Sequence, residues 1–148
     1  MKTEFLSMDD AWLDSVVAIE RAAHSHPWAE SLLRKPPTKF GCNRVLVMDN
    51  EVVGYFFAQC VAGEASLLNI AVAPQHQGKG FGKQLLNEFL VCMRSADAQE
   101  AWLEVRESNQ SAIKLYESLE FNEFDRRYGY YPKDGGKEDA LIMSYWFE

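Results

Sequence analysis

Positive charge is in short supply. The chain has 15 lysines and arginines against 22 aspartates and glutamates, a net charge of −7. A nucleic-acid binder needs a basic face to neutralise phosphates, so nucleic acid is not expected as a partner. The acidic surplus suits a cationic partner, or serves solubility alone. Cysteine is scarce and odd in number: Cys42, Cys60 and Cys92 form no Cys-x-x-Cys pair, which argues against a disulfide framework or a zinc site. Cys60 and Cys92 stand among apolar neighbours and read as buried small hydrophobes. The only histidines, His24, His26 and His76, have no triad-like or metal-like spacing, so they read as surface or loop residues and no metal is expected. No apolar run approaches the roughly 20 residues that cross a bilayer, and the opening MKTEFLSMDD has no apolar signal core. The expectation is a cytoplasmic protein with no membrane partner, working as a monomer.

Apolar and aromatic residues are plentiful, at 47% and 13% of the chain, which excludes a disordered chain. With 148 residues, residues 1–148 are expected to form one domain. Residues 2–7 read as a short strand. Ser7-Met-Asp-Asp10 resembles a capping box, and Trp12, Leu13, Val16, Val17 and Ile19 follow at helical spacing. Pro27, Pro36 and Pro37 limit the stretch from His24 to Phe40 to a short helix around Trp28–Arg34. This irregular stretch is expected to serve as a lid.

Residues 44–48 and 52–61 read as a hairpin turning at Asp49-Asn50-Glu51, and a strand follows over Ser66–Val72. Beyond Pro74, a helix carries Phe81, Leu85, Leu86, Phe89, Leu90 and Met93 on one face. Ala101–Arg106 alternates, with Leu103 and Val105 facing one way and Trp102, Glu104 and Arg106 the other. Ser108-Asn109 then caps a helix bearing Ile113, Tyr116 and Leu119. Strands at about 121–128 and 138–147 close the chain, joined by Pro132–Gly136. The order β-α-α-β-β-β-α-β-α-β-β indicates an α/β fold with a sheet of mixed direction.

The sharpest local signal lies between the third central strand and the strongest helix: Val72-Ala-Pro-Gln-His-Gln77-Gly-Lys-Gly80-Phe-Gly82-Lys83. Glycines let a backbone approach a ligand closely, and a helix start presents free N–H groups and a favourable dipole to negative charge. The loop therefore reads as a pyrophosphate cradle, with Lys79 and Lys83 at its edge. It lacks the Gly-Lys-Ser/Thr ending of a Walker loop and the third glycine of a dinucleotide-binding turn.

In this setting Gln77-Gly-Lys-Gly80-Phe-Gly82 resembles the acetyl-CoA motif of the GNAT acetyltransferase superfamily. The resemblance extends over nearly the whole chain, because the order of elements is the superfamily's. Pro27-Trp28, Leu68–Val72, Trp102–Arg106, Leu115–Leu119, Tyr130-Tyr131-Pro132 and Glu138–Met143 further resemble one branch (the RimI type). That branch acetylates the N-terminal alanine of the eighteenth protein of the small ribosomal subunit. The implied fold is a mixed sheet of six to seven strands flanked by about four helices.

The resemblance assigns roles residue by residue. Backbone groups at Ile70, Ala71 and Val72 would hold the pantetheine arm and the thioester carbonyl of acetyl-CoA. Gln77, Gly78, Lys79, Gly80, Phe81, Gly82 and Lys83 would hold its pyrophosphate, and Asn109 would bond the arm. Glu104 would act as the base and Tyr116 as the acid that protonates the leaving thiolate. Read without the family, Glu104 has the alternative of a surface partner for Arg106 or another basic neighbour, and Tyr116 reads first as a packing residue. Glu64, Tyr130 and Tyr131 are expected at the peptide-side opening, although the two tyrosines also suit strand-end packing. Leu119-Glu120-Phe121 departs from the superfamily's leucine–glycine–phenylalanine, so the helix exit carries a residue unsuited to a left-handed turn. A ribosomal-protein N-terminus is the expected substrate; a small amine, or acetyl-CoA sensing without turnover, are the alternatives.

Overall fold

Two tight turns organise the N-terminal half of the sheet. The computed structural model describes residues 2–148. In it, β2 (Gly41–Met48) meets β3 (Glu51–Val61) across Asp49 and Asn50, with φ of 52° and 65°. Both central residues at positive φ give the turn whose twist matches antiparallel strands, and Asp and Asn tolerate it best after glycine. Ala62 and Gly63 connect β3 to β4 (Glu64–Val72) in the same way, at 52° and 83°. β1 (Thr3–Ser7), β5 (Glu100–Arg106), β6 (Asn122–Lys133) and β7 (Gly136–Trp146) complete one seven-stranded sheet ordered β1-β2-β3-β4-β5-β7-β6. Among the described residues only β4 and β5 pair in parallel, so the sheet is mixed.

Among the described residues, four helices flank the sheet: α1 (Leu13–Ala23), α2 (Glu30–Leu33), α3 (Phe81–Ser95) and α4 (Gln110–Ser118). On one face α1 covers β1 to β4, burying Val16, Val17 and Ile19 with Val45, Tyr55 and Phe57. On the other, α3 and α4 cover Leu46, Phe56, Leu103 and Met143, and every residue of the α3 stripe expected to be apolar is buried. A Cβ on Gly54 would lie 2.8 Å from both Ala71 O and Leu85 Cδ1. The bare backbone there lets α3 close onto β3.

The sequence reading needs four local corrections. Ser7 does not cap α1; it ends β1, paired with Arg44, and Asp9 accepts from Ala11 N at 3.2 Å to start a 3-10 turn over Asp10–Trp12. β2 and β4 begin earlier than expected, because pairing with β3 extends them to Gly41 and Glu64. The final turn is only Asp134-Gly135, since Lys133 pairs with Gly136; Pro132 is tolerated because β6 is an edge strand. Cys60, near the end of β3, and Cys92, on the flank of α3, are half-buried rather than buried. Among the described residues, no helix is long and apolar enough to cross a membrane.

β4 positions the site. Ala58 pairs with Leu67 and Phe57 with Asn69, which leaves Leu68 as an extra residue. Such a bulge bends its strand and sharpens the twist. Consequently β4 pairs with β5 only over Glu64–Ser66 and Glu100–Trp102. Beyond Ser66 the two strands separate and a cleft opens between them.

Candidate functional site

The cleft between the separated ends of β4 and β5 has a volume of about 830 Å³. Ile70, Ala71 and Val72 form one wall, hydrogen-bonded to β3 on their far side. Ala73 N–H donates to Val53 O at 2.8 Å, and antiparallel pairing alternates direction residue by residue. The N–H groups of Ile70 and Val72 therefore point into the cleft, whereas Ala71 is held to β3.

The glycine loop closes one end. Gly78 and Gly80 have φ of 78° and 87°, and no atom lies within 4 Å of where their Cβ would be. α3 starts directly after Gly80 with no side-chain cap, so its first-turn N–H groups remain free. Open room beside two glycines and an uncapped start of a 15-residue helix fit a pyrophosphate. Gln77 is turned back as a brace, its Nε2 donating to Val72 O at 3.1 Å. Phe81 is buried in the core, so only its backbone N–H is available. Lys79 and Lys83 are exposed on the loop's rim and do not line the cleft.

The opposite wall comes from β5 and α4. Asn109 caps α4, its Oδ1 accepting from Ala112 N at 3.2 Å, and its amide N–H₂ remains for a ligand. Tyr116 reaches the cleft from α4 and is 5% exposed. Burial, with Tyr131 as a lesser contributor, raises its phenol well above the ordinary range, so it keeps its proton at neutral pH. The helix exit holds it in place. Phe121 N–H donates to Tyr116 O at 3.0 Å, Glu120 N–H donates to Glu117 O at 3.0 Å, and the Phe121 ring packs 6.0 Å from that of Tyr116. This is a Schellman closure, and Glu120 takes the left-handed position at φ 73° despite not being glycine.

Glu104 extends from the polar face of β5 into the cleft and pairs with Arg127 at 3.2 Å. The basic neighbour is thus Arg127, while Arg106 pairs with Glu138 at 3.7 Å. Arg106 also lies 4.4 Å over the Tyr131 ring and donates to Pro132 O at 2.8 Å. Tyr131 lines the cleft, its phenol pushed up to about 12 by burial and then by Glu104. Tyr130 is half-exposed beside it, edge-on to Tyr131 at 5.1 Å, with Arg127 over its ring at 4.9 Å. Glu64 is not brought to the cleft; it begins β4, six residues before Ile70 and about 20 Å away along the strand.

Sequence reasoning missed a buried network at the α1 end of the cleft. Glu20, 1% exposed, accepts from Tyr55 Oη at 2.6 Å, Asn69 Nδ2 at 2.9 Å and Trp28 N–H at 2.9 Å. A carboxylate three and four residues beyond Val17 and Val16 on a buried stripe was the available signal. His24 lies in the loop just past α1 and is partly exposed, with its Nε2 3.1 Å from Asn69 Oδ1. His26 Nδ1 lies 3.1 Å from Arg106 Nη2. His76 is largely buried, edge-on to Phe81 at 6.1 Å with Nε2 3.3 Å from Glu51. The segment expected as a lid is therefore anchored at His24–Trp28. Among the described residues, no group of three or more His, Cys, Asp or Glu is arranged to hold a metal ion.

Comparison with known proteins gives the family and the fold. The family model described as Acetyltransferase (GNAT) family matches residues 6–121. A Haemophilus influenzae protein named ribosomal protein bS18-alanine N-acetyltransferase is 44% identical over 127 residues, covering 85% of this chain and 86% of that one. The Escherichia coli K12 protein of the same name is 38% identical, covering 93% of each chain. The crystal structure of the Escherichia coli ribosomal-protein alanine N-acetyltransferase superposes with a TM-score of 0.92 at 37% identity, covering 97% of this chain and 92% of that one.

Proposed function

The chain belongs to the acetyltransferase (GNAT) family, and on that premise we propose that it moves the acetyl group of acetyl-CoA onto the N-terminal alanine of a small-subunit ribosomal protein. The observation that carries the reading is the meeting of three features in one cleft. These are a strand edge with free N–H groups at Ile70 and Val72, a carboxylate at Glu104 and a buried, protonated phenol at Tyr116. The acceptor follows the relatives' named substrate.

The chain's own groups divide the work. Gly78, Gly80 and the start of α3 hold the pyrophosphate, and the Asn109 amide holds the arm. The strand N–H groups bond the thioester oxygen and stabilise the negative charge that develops there. A terminal amine has a pKa of about 7.7–8.0, so at neutral pH much of it is protonated. Glu104 takes that proton, the amine nitrogen bonds to the acetyl carbon, and the carbon–sulfur bond breaks. Tyr116 passes its proton to the departing thiolate and regains one from the nitrogen, which sheds its second proton as the amide forms, while the proton on Glu104 leaves to solvent.

The test is acetylation of peptides starting with Ala, Ser, Gly and Met, read by mass spectrometry with wild type, Glu104→Gln and Tyr116→Phe. One acetyl group gained by the alanine peptide, with both variants slowed, is the expected result. Acetyl-CoA binding without acetylation of any peptide would move the acceptor to small amines.

A further inference from the structure

α1 covers only β1 to β4, so among the described residues no helix lies on the same face of β5, β7 and β6, where side chains of the flanking strands themselves bury Ala140 and Ser144. Cross-strand register fixes what this face displays. Glu100 is opposite Trp146, Trp102 opposite Ser144, and Glu104 and Asp125 both opposite Ile142. Phe124 is the extra residue of a bulge in β6, and its ring meets that of Trp102 edge-on at 4.8 Å. Large aromatic surface stands in water here: Phe124 is 65% exposed and Trp146 68%. Exposed aromatic surface gathered in one place marks an interaction site more often than a lone exposed residue does.

The charges on this face say what it fits. Arg127 is taken up by Glu104 and Arg106 by Glu138. Among the described residues, Glu100 and Asp125 have no ion-pair partner, and they flank the aromatic group. Asp125 Oδ1 accepts from Arg126 N–H at 2.7 Å, which leaves its charge without a cationic partner, and aromatic faces beside unpaired carboxylate charges bind lysine and arginine, through the ring quadrupole and by charge. The face also runs directly into the cleft. Glu100 lies four residues along β5 from Glu104, about 13 Å.

We propose that this face docks a cationic stretch of the acceptor protein, lying beyond the terminus that reacts at Glu104. The inference rests on the acceptor reading above. A ribosomal protein contacts RNA phosphates and is accordingly rich in lysine and arginine, complementary to a chain of net charge −7. The terminus then supplies the reacting amine, and the cationic stretch supplies affinity and selection among alanine-starting chains.

The experiment compares kcat/KM on full-length bS18 and on a peptide of its first six residues, using wild type, Phe124→Ser/Trp146→Ser and Glu100→Lys/Asp125→Lys. Thermal melts confirm that each variant is folded. The expected result is a loss of about tenfold or more on the protein substrate in both variants, with the peptide rate within twofold of wild type. The charge-reversed variant also loses most of the salt dependence seen with the protein substrate. Equal losses on protein and peptide, or no loss on either, overturn the docking surface. So does wild-type self-association abolished by Phe124→Ser/Trp146→Ser, because a second copy would then be the occupant. If wild type acetylates neither substrate, the acceptor reading fails and this inference with it. Acetylation with no protein-specific loss overturns the inference alone.

Discussion

Arg127 Nε lies 3.2 Å from Glu104 Oε1, joining β6 to β5 at the mouth of the cleft. Both partners are accessible to water, and an exposed pair of this kind stabilises a fold by less than about 1 kcal/mol. Glu104→Gln therefore separates chemistry from stability. The expected outcome is a fall in kcat/KM of about 10²-fold or more, with a melting temperature close to wild type. A large drop in melting temperature would instead make Glu104 a structural residue.

Tyr116→Phe removes a hydroxyl and keeps the ring that packs on Phe121. A general acid that is lost reduces kcat by about 10²-fold while leaving acetyl-CoA binding intact. Stopped-flow or steady-state kinetics on the alanine peptide check this. An unchanged kcat would confine Tyr116 to packing.

The same residue sets an alkaline stability limit. Burial raises the Tyr116 phenol above its ordinary value of about 10, so the folded state holds a proton that the unfolded chain releases first. That stabilisation is complete below pH 10 and declines as pH rises above it, by up to about 1.4 kcal/mol per pH unit. Denaturant unfolding between pH 9 and 12 should show a shallower decline for Tyr116→Phe than for wild type.

Glu120 occupies a left-handed position, φ 73°, that favours glycine. Glu120→Gly relieves that strain and is expected to stabilise the fold by about 0.5–1 kcal/mol. Chemical denaturation measures it. Because this exit packs Phe121 against Tyr116, kcat on the alanine peptide should stay within twofold.

Gly80 has φ 87° and open space where a Cβ would project. Gly80→Ala both strains the loop and fills the room beside the uncapped start of α3. The expected effect is a rise in KM for acetyl-CoA of about tenfold, with the acceptor KM unchanged. Equal changes in both constants would show that the loop does not hold the pyrophosphate.

The order of elements, the buried stripe of α3 and the glycine loop were all legible in the chain itself. Each is set by neighbours in sequence: helical spacing from Phe81 to Met93, β-branched and aromatic runs around Asp49-Asn50, and glycines before a helix. The positions of Glu104 and Tyr116 came from resemblance to a family, because spacing alone allows each an ordinary surface or packing role. Three features were decided only by tertiary structure. The cleft depends on a bulge at Leu68 that parts β4 from β5, and a bulge shows in pairing register rather than in composition. The Glu20 network joins residues 35 and 49 positions apart. Glu64 falls outside the cleft and Tyr131 inside it because strand direction and pairing set where each side chain arrives. Local periodicity dictates which face of an element is apolar; the order and register of strands, which decide what meets across the cleft, arise only when distant segments pack.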